Sequence, residues 1–206
     1  LLKDQFKIAL PLIPSGSIGL IIVAFDRGLI TEHYGLKDLA NYNLAMLALV
    51  PMHMVMTATQ VAWLPHLFSL KDPKDAMRQT IKTMKIAFFF MIIVTPLLSL
   101  AIYLALINNF IGSEYSVVPK IIIYASIGVI ASMLLHLNYN MFVYLKKTTY
   151  LFFVGLIILL INVSVNILLI PNYSFYGATV AAGLSNLIGL GISLFLLIKM
   201  TKITMP

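Results

Sequence analysis

The chain has 206 residues, of which 61% are hydrophobic and 10% charged, with a net charge of +7 and no cysteine. Soluble domains are about 45–50% apolar and about 25% charged, so this composition excludes a water-soluble domain, a disordered chain and a disulfide scaffold. The mean hydropathy of +0.99 is typical of an all-α, polytopic integral membrane protein. Basic residues in such proteins gather in cytoplasmic loops, so we expect no nucleic acid among the partners.

Long runs without Asp, Glu, Lys or Arg divide the chain into membrane-length segments. A spanning helix needs about 20 apolar residues, and we therefore predict six transmembrane helices. They lie at about 8–30, 40–66, 82–108, 118–145, 148–170 and 177–199. The last two share one uncharged run, which we predict to be turned into a hairpin by Pro171, Ser174 and Gly177. Residues 1–206 thus form a single six-helix lobe, and because Leu1 is not a Met we expect a fragment of a longer chain.

The basic residues indicate which way the helices cross. Most of the 14 lysines and arginines fall in connections on one side of the predicted spans. They are Lys3, Lys7, Lys71, Lys74, Arg78, Lys82, Lys85, Lys146, Lys147, Lys199 and Lys202. The other side holds Arg27, Lys37 and Lys120. The positive-inside rule then predicts a multi-pass protein with both termini in the cytoplasm.

The third span is expected to begin below the membrane. Asp72 and Pro73 match an N-cap followed by the first helical position, and Asp75 follows in the first turn. Basic residues then recur on one helical face, at Lys74, Arg78, Lys82 and Lys85. We interpret this face as contacting lipid head groups; a direct role in gathering an anionic lipid substrate is the alternative.

The sequence offers little for catalysis. Membrane-face phosphotransfer needs paired carboxylates for a divalent metal. The close pairs are Glu32 with Asp38 and Asp72 with Asp75, and helix capping already accounts for the second. The four histidines lack metal-ligand spacing. We therefore expect no enzyme, no catalytic residue, no cofactor and no metal.

Polar residues inside the spans are candidates for a functional cavity, because burying them in lipid is costly. The alternative for each is an interhelical hydrogen bond that holds the bundle together. The set comprises His53, Gln60, His136, Asn138, Asn140, Asn162, Asn166, Ser185 and Asn186. Asn162 and Asn166 are one turn apart and share a face, as do His136 and Asn140. From this set we predict His53, Gln60, His136, Asn140, Asn162 and Asn166 as substrate-binding residues.

Asp26 and Arg27 end the first apolar run, yet three more apolar or small residues follow them. They are either interfacial anchors or groups that face a cavity near the outer boundary. An arginine can hold a phosphate through two parallel hydrogen bonds, and an aspartate can bind a cation or a proton. Arg27 is therefore added to the predicted substrate-binding residues, and Asp26 is the predicted ion-coupling residue.

The sequence resembles Wzx-type polysaccharide flippases, which belong to the multidrug/oligosaccharidyl-lipid/polysaccharide exporter superfamily. The resemblance rests on the run FDRGLI at residues 25–30 followed by YNLA at 42–45, and on WLPHLF at 63–68. It continues with LIP at 169–171, YGAT at 176–179 and LSN at 184–186. The chain departs from the family pattern at residues 40–41 and at Ser174, where glycine is usual.

The resemblance implies the C-terminal lobe of a twelve-helix flippase in the bacterial cytoplasmic membrane. Such a protein carries an undecaprenyl-diphosphate-linked oligosaccharide to the outer leaflet by rocking its two lobes around a central cavity. Its partners would be that substrate, membrane lipids and the N-terminal six-helix lobe of the same polypeptide. Arg27 would contact the diphosphate and Asp26 would couple the cycle to a cation or proton.

Two alternatives stay open at this point. One is a cation-coupled multidrug exporter of the same superfamily, for which Asp26 would be the membrane-embedded acid. The other is a polytopic membrane enzyme of envelope-glycan synthesis, which would need the carboxylates of Asp72 and Asp75.

Overall fold

A computed structural model describes the backbone of residues 12–201 and the side chains of residues 17–201. The predicted start of the first span, together with Lys3, Lys7 and Lys202, lies outside the described residues. Within the described range every regular element is a helix, which confirms the all-α class. Five stretches of the described chain are long and apolar enough to cross a membrane, as expected of a multi-pass membrane protein.

Six α-helices and one short 3-10 turn follow each other along the described chain. They are α1 (Leu12–Ala48), α2 (Val50–Ser69), α3 (Pro73–Ile107), the 3-10 turn Ser113–Tyr115, α4 (Val118–Tyr144), α5 (Thr149–Tyr173) and α6 (Phe175–Thr201). The apolar runs of the sequence coincide with these helices because a backbone in lipid must satisfy its own hydrogen bonds.

The first two predicted spans form one stretch of helix, Ser17–Ser69, which counts as one of the five. A straight α1 would be about 55 Å long, against about 30 Å for the hydrocarbon core of a bilayer. The chain turns inside α1 at Gly35, whose φ of 78° and ψ of −173° are not helical. Glycine adopts this positive φ without the penalty that a Cβ would bring. A second interruption follows at Leu49, just before Pro51, which lacks a backbone N–H.

Helix α4 is the centre of the bundle. It packs against α6 and α3 and also contacts α1 and α2, whereas α5 lies between α1 and α6. Large side chains of α4 are fully buried, among them Ile121, Leu137, Met141 and Phe142. The helices on the outside of this arrangement expose many apolar side chains, which in a bilayer would meet lipid.

The hairpin between α5 and α6 turns at a single residue. Ser174 has a φ of 50° and separates Tyr173 from Phe175, within the segment for which the sequence predicts a turn. A Cβ on Gly177 would lie 2.7 Å from the carbonyl carbon of Leu169, so only glycine lets the two helices meet this closely. Pro171 itself remains inside α5, in its last turn.

Long-range hydrogen bonds tie the helix ends together. At one end the Tyr144 hydroxyl donates to the Leu70 carbonyl at 2.8 Å, which joins the last residue of α4 to the loop after α2. At the hairpin, the Tyr34 hydroxyl donates to the Pro171 carbonyl at 2.8 Å, and the Ser174 hydroxyl donates to the Asp38 carboxylate at 2.6 Å. The turn at Gly35 is thereby held against the α5–α6 hairpin.

Candidate functional site

A buried polar cluster joins α1 to α5. Asp26 on α1 is only 3% exposed and accepts a hydrogen bond from the Asn166 amide of α5. The same Asn166 amide donates to the Asn162 carbonyl oxygen at 2.8 Å, and the Tyr42 hydroxyl lies within hydrogen-bonding reach of the Asp26 carboxylate. We call these four residues the Asp26 cluster.

Two polar atoms of the Asp26 cluster are buried without a hydrogen-bond partner. They are the Oδ1 of Asn166 and the Nδ2 of Asn162. Both residues are almost completely buried, at 0% and 1% exposure. Unpaired polar atoms in such a position cost free energy unless something else binds them. The Asp26 carboxylate and the Oδ1 of Asn166 are oxygen ligands of the kind that bind a hard cation, and the carboxylate can also bind a proton. The Nδ2 of Asn162 is a hydrogen-bond donor and would need an acceptor instead.

The second polar region is a groove of about 510 Å³. Helices α1 and α2 both pack on α4 and barely touch each other, so they flank a depression whose floor is α4, with α5 and α6 contributing to its lining. Its polar lining residues are His53, Ser132, His136, Tyr139 and Asn186. We call this depression the α4 groove.

His136 is oriented by its own helix. Its Nδ1 lies 2.7 Å from the backbone carbonyl oxygen of Ser132, one turn earlier on α4. A carbonyl oxygen can only accept, so Nδ1 carries the hydrogen of this bond. The ring lies beside Tyr139, with 5.6 Å between the ring centroids, and His53 of α2 lines the same groove.

The structure therefore brings together two subsets of the predicted site residues. Asp26, Asn162 and Asn166 meet between α1 and α5, and His53 and His136 both line the α4 groove. The predicted common face of Asn162 and Asn166 is confirmed by their hydrogen bond.

The remaining predicted residues lie apart from both subsets. Arg27 is exposed on α1, although it follows Asp26 directly. Gln60 and Asn140 are half-buried and do not line the α4 groove, and the Nδ2 of Asn140 is buried without a partner. Asn140 therefore lies on the same helix as His136 but outside the groove lining to which His136 belongs.

The basic face of α3 consists of Lys74, Arg78, Lys82 and Lys85, and all four are exposed. Among the residues that the structure describes, the one ion pair joins Arg78 to Asp75 at 3.6 Å. Asp72 caps α3 as predicted, because its carboxylate accepts a hydrogen bond of 3.1 Å from the Lys74 amide. This contact gives Asp72 a structural role at the start of α3.

Three residues of the two polar regions were not predicted from the sequence. Ser132 and Tyr139 lie four residues before and three after His136, and this helical spacing was a usable signal. Tyr42 carries no such signal, since it lies beyond the turn at Gly35 and reaches Asp26 only through the fold.

Comparison with known proteins adds no relative. No protein-family model, no curated protein and no solved structure matches the chain.

Proposed function

We propose that the chain is one lobe of a membrane flippase that moves undecaprenyl-diphosphate-linked oligosaccharide units across the bacterial cytoplasmic membrane for cell-surface polysaccharide synthesis. The observation that carries the proposal is an open groove with a few polar side chains on a largely apolar lining, together with a separate buried acid. A mostly apolar cleft with a small number of polar groups is typical of a ligand-binding site. A buried acid with the unpartnered amide oxygen of Asn166 beside it suits a coupling cation.

The lobe crosses the membrane six times in this proposal, with the turn at Gly35 as an outer connection between two crossings. A stretch of 53 residues, Ser17–Ser69, is long enough for two passages, and the non-helical backbone at Gly35 supplies the change of direction. Both termini then lie in the cytoplasm, with the loops that contain Lys71 and Lys146. A second six-helix lobe of the same polypeptide faces α1 and α2 and closes the α4 groove into a central cavity.

Each polar region has its own task in the transport cycle. The α4 groove receives the head group of the substrate, and Arg27, one turn beyond the groove residue Val23, contacts the diphosphate. The Asp26 cluster binds the coupling cation or proton, and its occupancy biases the bundle between inward-open and outward-open states. The basic face of α3 contacts anionic head groups at the cytoplasmic surface.

Deletion and complementation test the proposal. A strain that lacks the gene should lose its surface polysaccharide and accumulate undecaprenyl-diphosphate-linked oligosaccharide, measured by mass spectrometry of extracted lipids. The wild-type gene should restore export, whereas Asp26→Asn and Arg27→Gln should not. Asp75→Asn is the matched acidic control and should restore export fully, because Asp75 is an exposed residue in the first turn of α3.

Unchanged surface polysaccharide without accumulated lipid-linked oligosaccharide would overturn the proposal. Loss of the lipid-linked oligosaccharide itself, together with inactivity of the Asp72→Asn and Asp75→Asn variants, would favour a biosynthetic enzyme instead.

A cation-coupled multidrug exporter is the second candidate, and the observation that favours it is the largely apolar lining around the histidines of the α4 groove. If the chain is such an exporter, deletion of its gene should give a different phenotype. The strain would become sensitive to lipophilic cationic dyes while its surface polysaccharide stayed intact.

A further inference from the structure

The α4 groove has no fixed charge. None of its lining residues is Lys, Arg, Asp or Glu. A diphosphate is charged, and moving it from water into a site of low dielectric costs free energy. A site that binds it must offset this desolvation cost with cationic side chains. The groove supplies hydroxyl, amide and imidazole groups instead, on Ser132, Tyr139, Asn186 and the two histidines. These groups suit a neutral ligand that is rich in hydrogen-bonding groups.

His136 has a defined preference among such ligands. The hydrogen on Nδ1 is committed to the Ser132 carbonyl, so Nε2 of the neutral ring is an acceptor. Phosphate oxygens also only accept and do not match it. A sugar hydroxyl or the N–H of an acetamido group does match, because each can donate.

Tyr139 adds an aromatic face next to His136, with the two rings tilted by 54°. A tyrosine presents an apolar ring and a polar hydroxyl, which matches a sugar ring with its C–H face and its peripheral hydroxyls. The groove volume of about 510 Å³ falls inside the range of about 300–1,000 Å³ found for small-molecule sites.

We infer that the α4 groove is a sugar subsite, in which His136 and Tyr139 bind hydroxyl or acetamido groups of the glycan while the diphosphate stays outside the groove. This inference rests on the proposed flippase function and says which part of the substrate the groove recognises. Arg27 lies one turn beyond the groove residue Val23 on α1 and is exposed. A diphosphate at Arg27 is thus within reach of a sugar in the groove.

Two lipid probes that differ only in the sugar test the inference. The full chain is reconstituted in phosphatidylcholine nanodiscs, and the Kd is measured for undecaprenyl diphosphate and for undecaprenyl-diphosphate-linked N-acetylglucosamine. The ratio of the two Kd values reports the contribution of the sugar. We expect the wild type to bind the sugar-bearing probe more tightly. His136→Ala and Tyr139→Phe should each reduce this ratio by about two- to tenfold, the loss of about one hydrogen bond, and leave the Kd for undecaprenyl diphosphate unchanged.

The controls separate the sugar from the diphosphate. His33→Ala, at an exposed histidine of α1, should change neither Kd. Arg27→Gln should raise the Kd for both probes by the same factor and leave the ratio of the two Kd values unchanged. Tyr139→Phe retains the ring, so it keeps the test valid even where His136→Ala disturbs the packing of α4.

The possible failures are distinguishable. Equal Kd values for the two probes, or a uniform weakening of both by His136→Ala and Tyr139→Phe, would overturn the sugar subsite and leave the flippase proposal standing. Absence of binding by the wild type to either probe would overturn the proposed function, and the sugar subsite with it.

Discussion

The Asp26 cluster and the basic face of α3 both place ionisable groups in a chain that is 61% hydrophobic. In the cluster, Asp26 is buried and hydrogen-bonded to Asn166 of another helix. On the basic face, Lys74, Arg78 and Lys82 are exposed. A single ion pair of 3.6 Å, from Arg78 to Asp75, is formed there among the described residues.

Burial, rather than residue type, distinguishes the ionisable group of a candidate site from the ionisable groups of an exposed helix face. An ionisable group in a low-dielectric interior is costly and persists where its neighbours bind it. The same group at the surface costs little, and its removal should cost little as well. Four variants, taken from the interior outwards, test this gradient.

Asn166→Ala should have the largest effect on stability. The substitution removes the amide that donates to Asp26 and to Asn162 and leaves a small cavity between α1 and α5. We expect the free energy of unfolding to fall by about 2–4 kcal/mol, measured by denaturant titration in detergent. Ser164→Ala, at an exposed residue of the same helix, is the control and should change it by less than about 0.5 kcal/mol. An equal or more stable Asn166→Ala variant would show that the cluster is retained at the expense of stability.

Ser174→Ala tests a half-buried contact, intermediate between the buried Asp26 cluster and the exposed basic face of α3. Its hydroxyl donates to the Asp38 carboxylate at 2.6 Å and helps hold the α5–α6 hairpin against α1. Loss of a hydrogen bond to a charged group should lower the free energy of unfolding by about 1.5–3 kcal/mol. A double-mutant cycle with Asp38→Ala isolates the pair, and an interaction energy near zero would contradict the role assigned to it.

Asp72→Ala should destabilise α3 by about 1 kcal/mol, because the backbone N–H of Lys74, in the first turn of α3, loses its hydrogen-bond acceptor. Asp72→Ser is the matched control, since serine caps helices about as well as aspartate. Thermal unfolding of the two variants checks the prediction. If Asp72→Ser were as unstable as Asp72→Ala, the negative charge rather than the cap would be responsible.

Lys74→Gln combined with Lys82→Gln should have the smallest effect on folding, below about 0.5 kcal/mol in neutral phosphatidylcholine nanodiscs. In nanodiscs that contain phosphatidylglycerol, the wild type should gain stability from its anionic lipids, at about 1 kcal/mol for each basic residue near the surface. The double variant should lose most of this gain. An undiminished gain in the variant would exclude the basic face of α3 as a lipid contact.

The helices of the fold were predictable because lipid imposes a simple condition on the sequence. Every spanning segment must be apolar over about 20 residues and must satisfy its own backbone, and the long uncharged runs reveal this directly. The start of α3 was equally predictable, since Asp72 and Pro73 act on the helix of which they are part. The connection between the first two predicted spans was not predictable in the same way, because the helix continues past residue 30 to the turn at Gly35.

The candidate site was predictable only along each helix. Asn162 and Asn166 share a face by spacing alone, and their hydrogen bond follows from it. The same spacing places Ser132 and Asn140 one turn on either side of His136, and of these two Ser132 lines the α4 groove whereas Asn140 does not. Spacing states which residues share a face and leaves open which of them meets the neighbouring helix.

The membrane class, the helical content and the cap at Asp72 follow from the amino-acid sequence, because each depends on residues that are close together in the chain. The contact between Asp26 and Asn166, which are 140 residues apart, and the exposure of Arg27 beside Asp26 become visible in the packed bundle alone. Helix geometry explains the difference between the two neighbours. Adjacent residues point about 100° apart, so the packing of α1 against α5 buries one of the two charges and exposes the other.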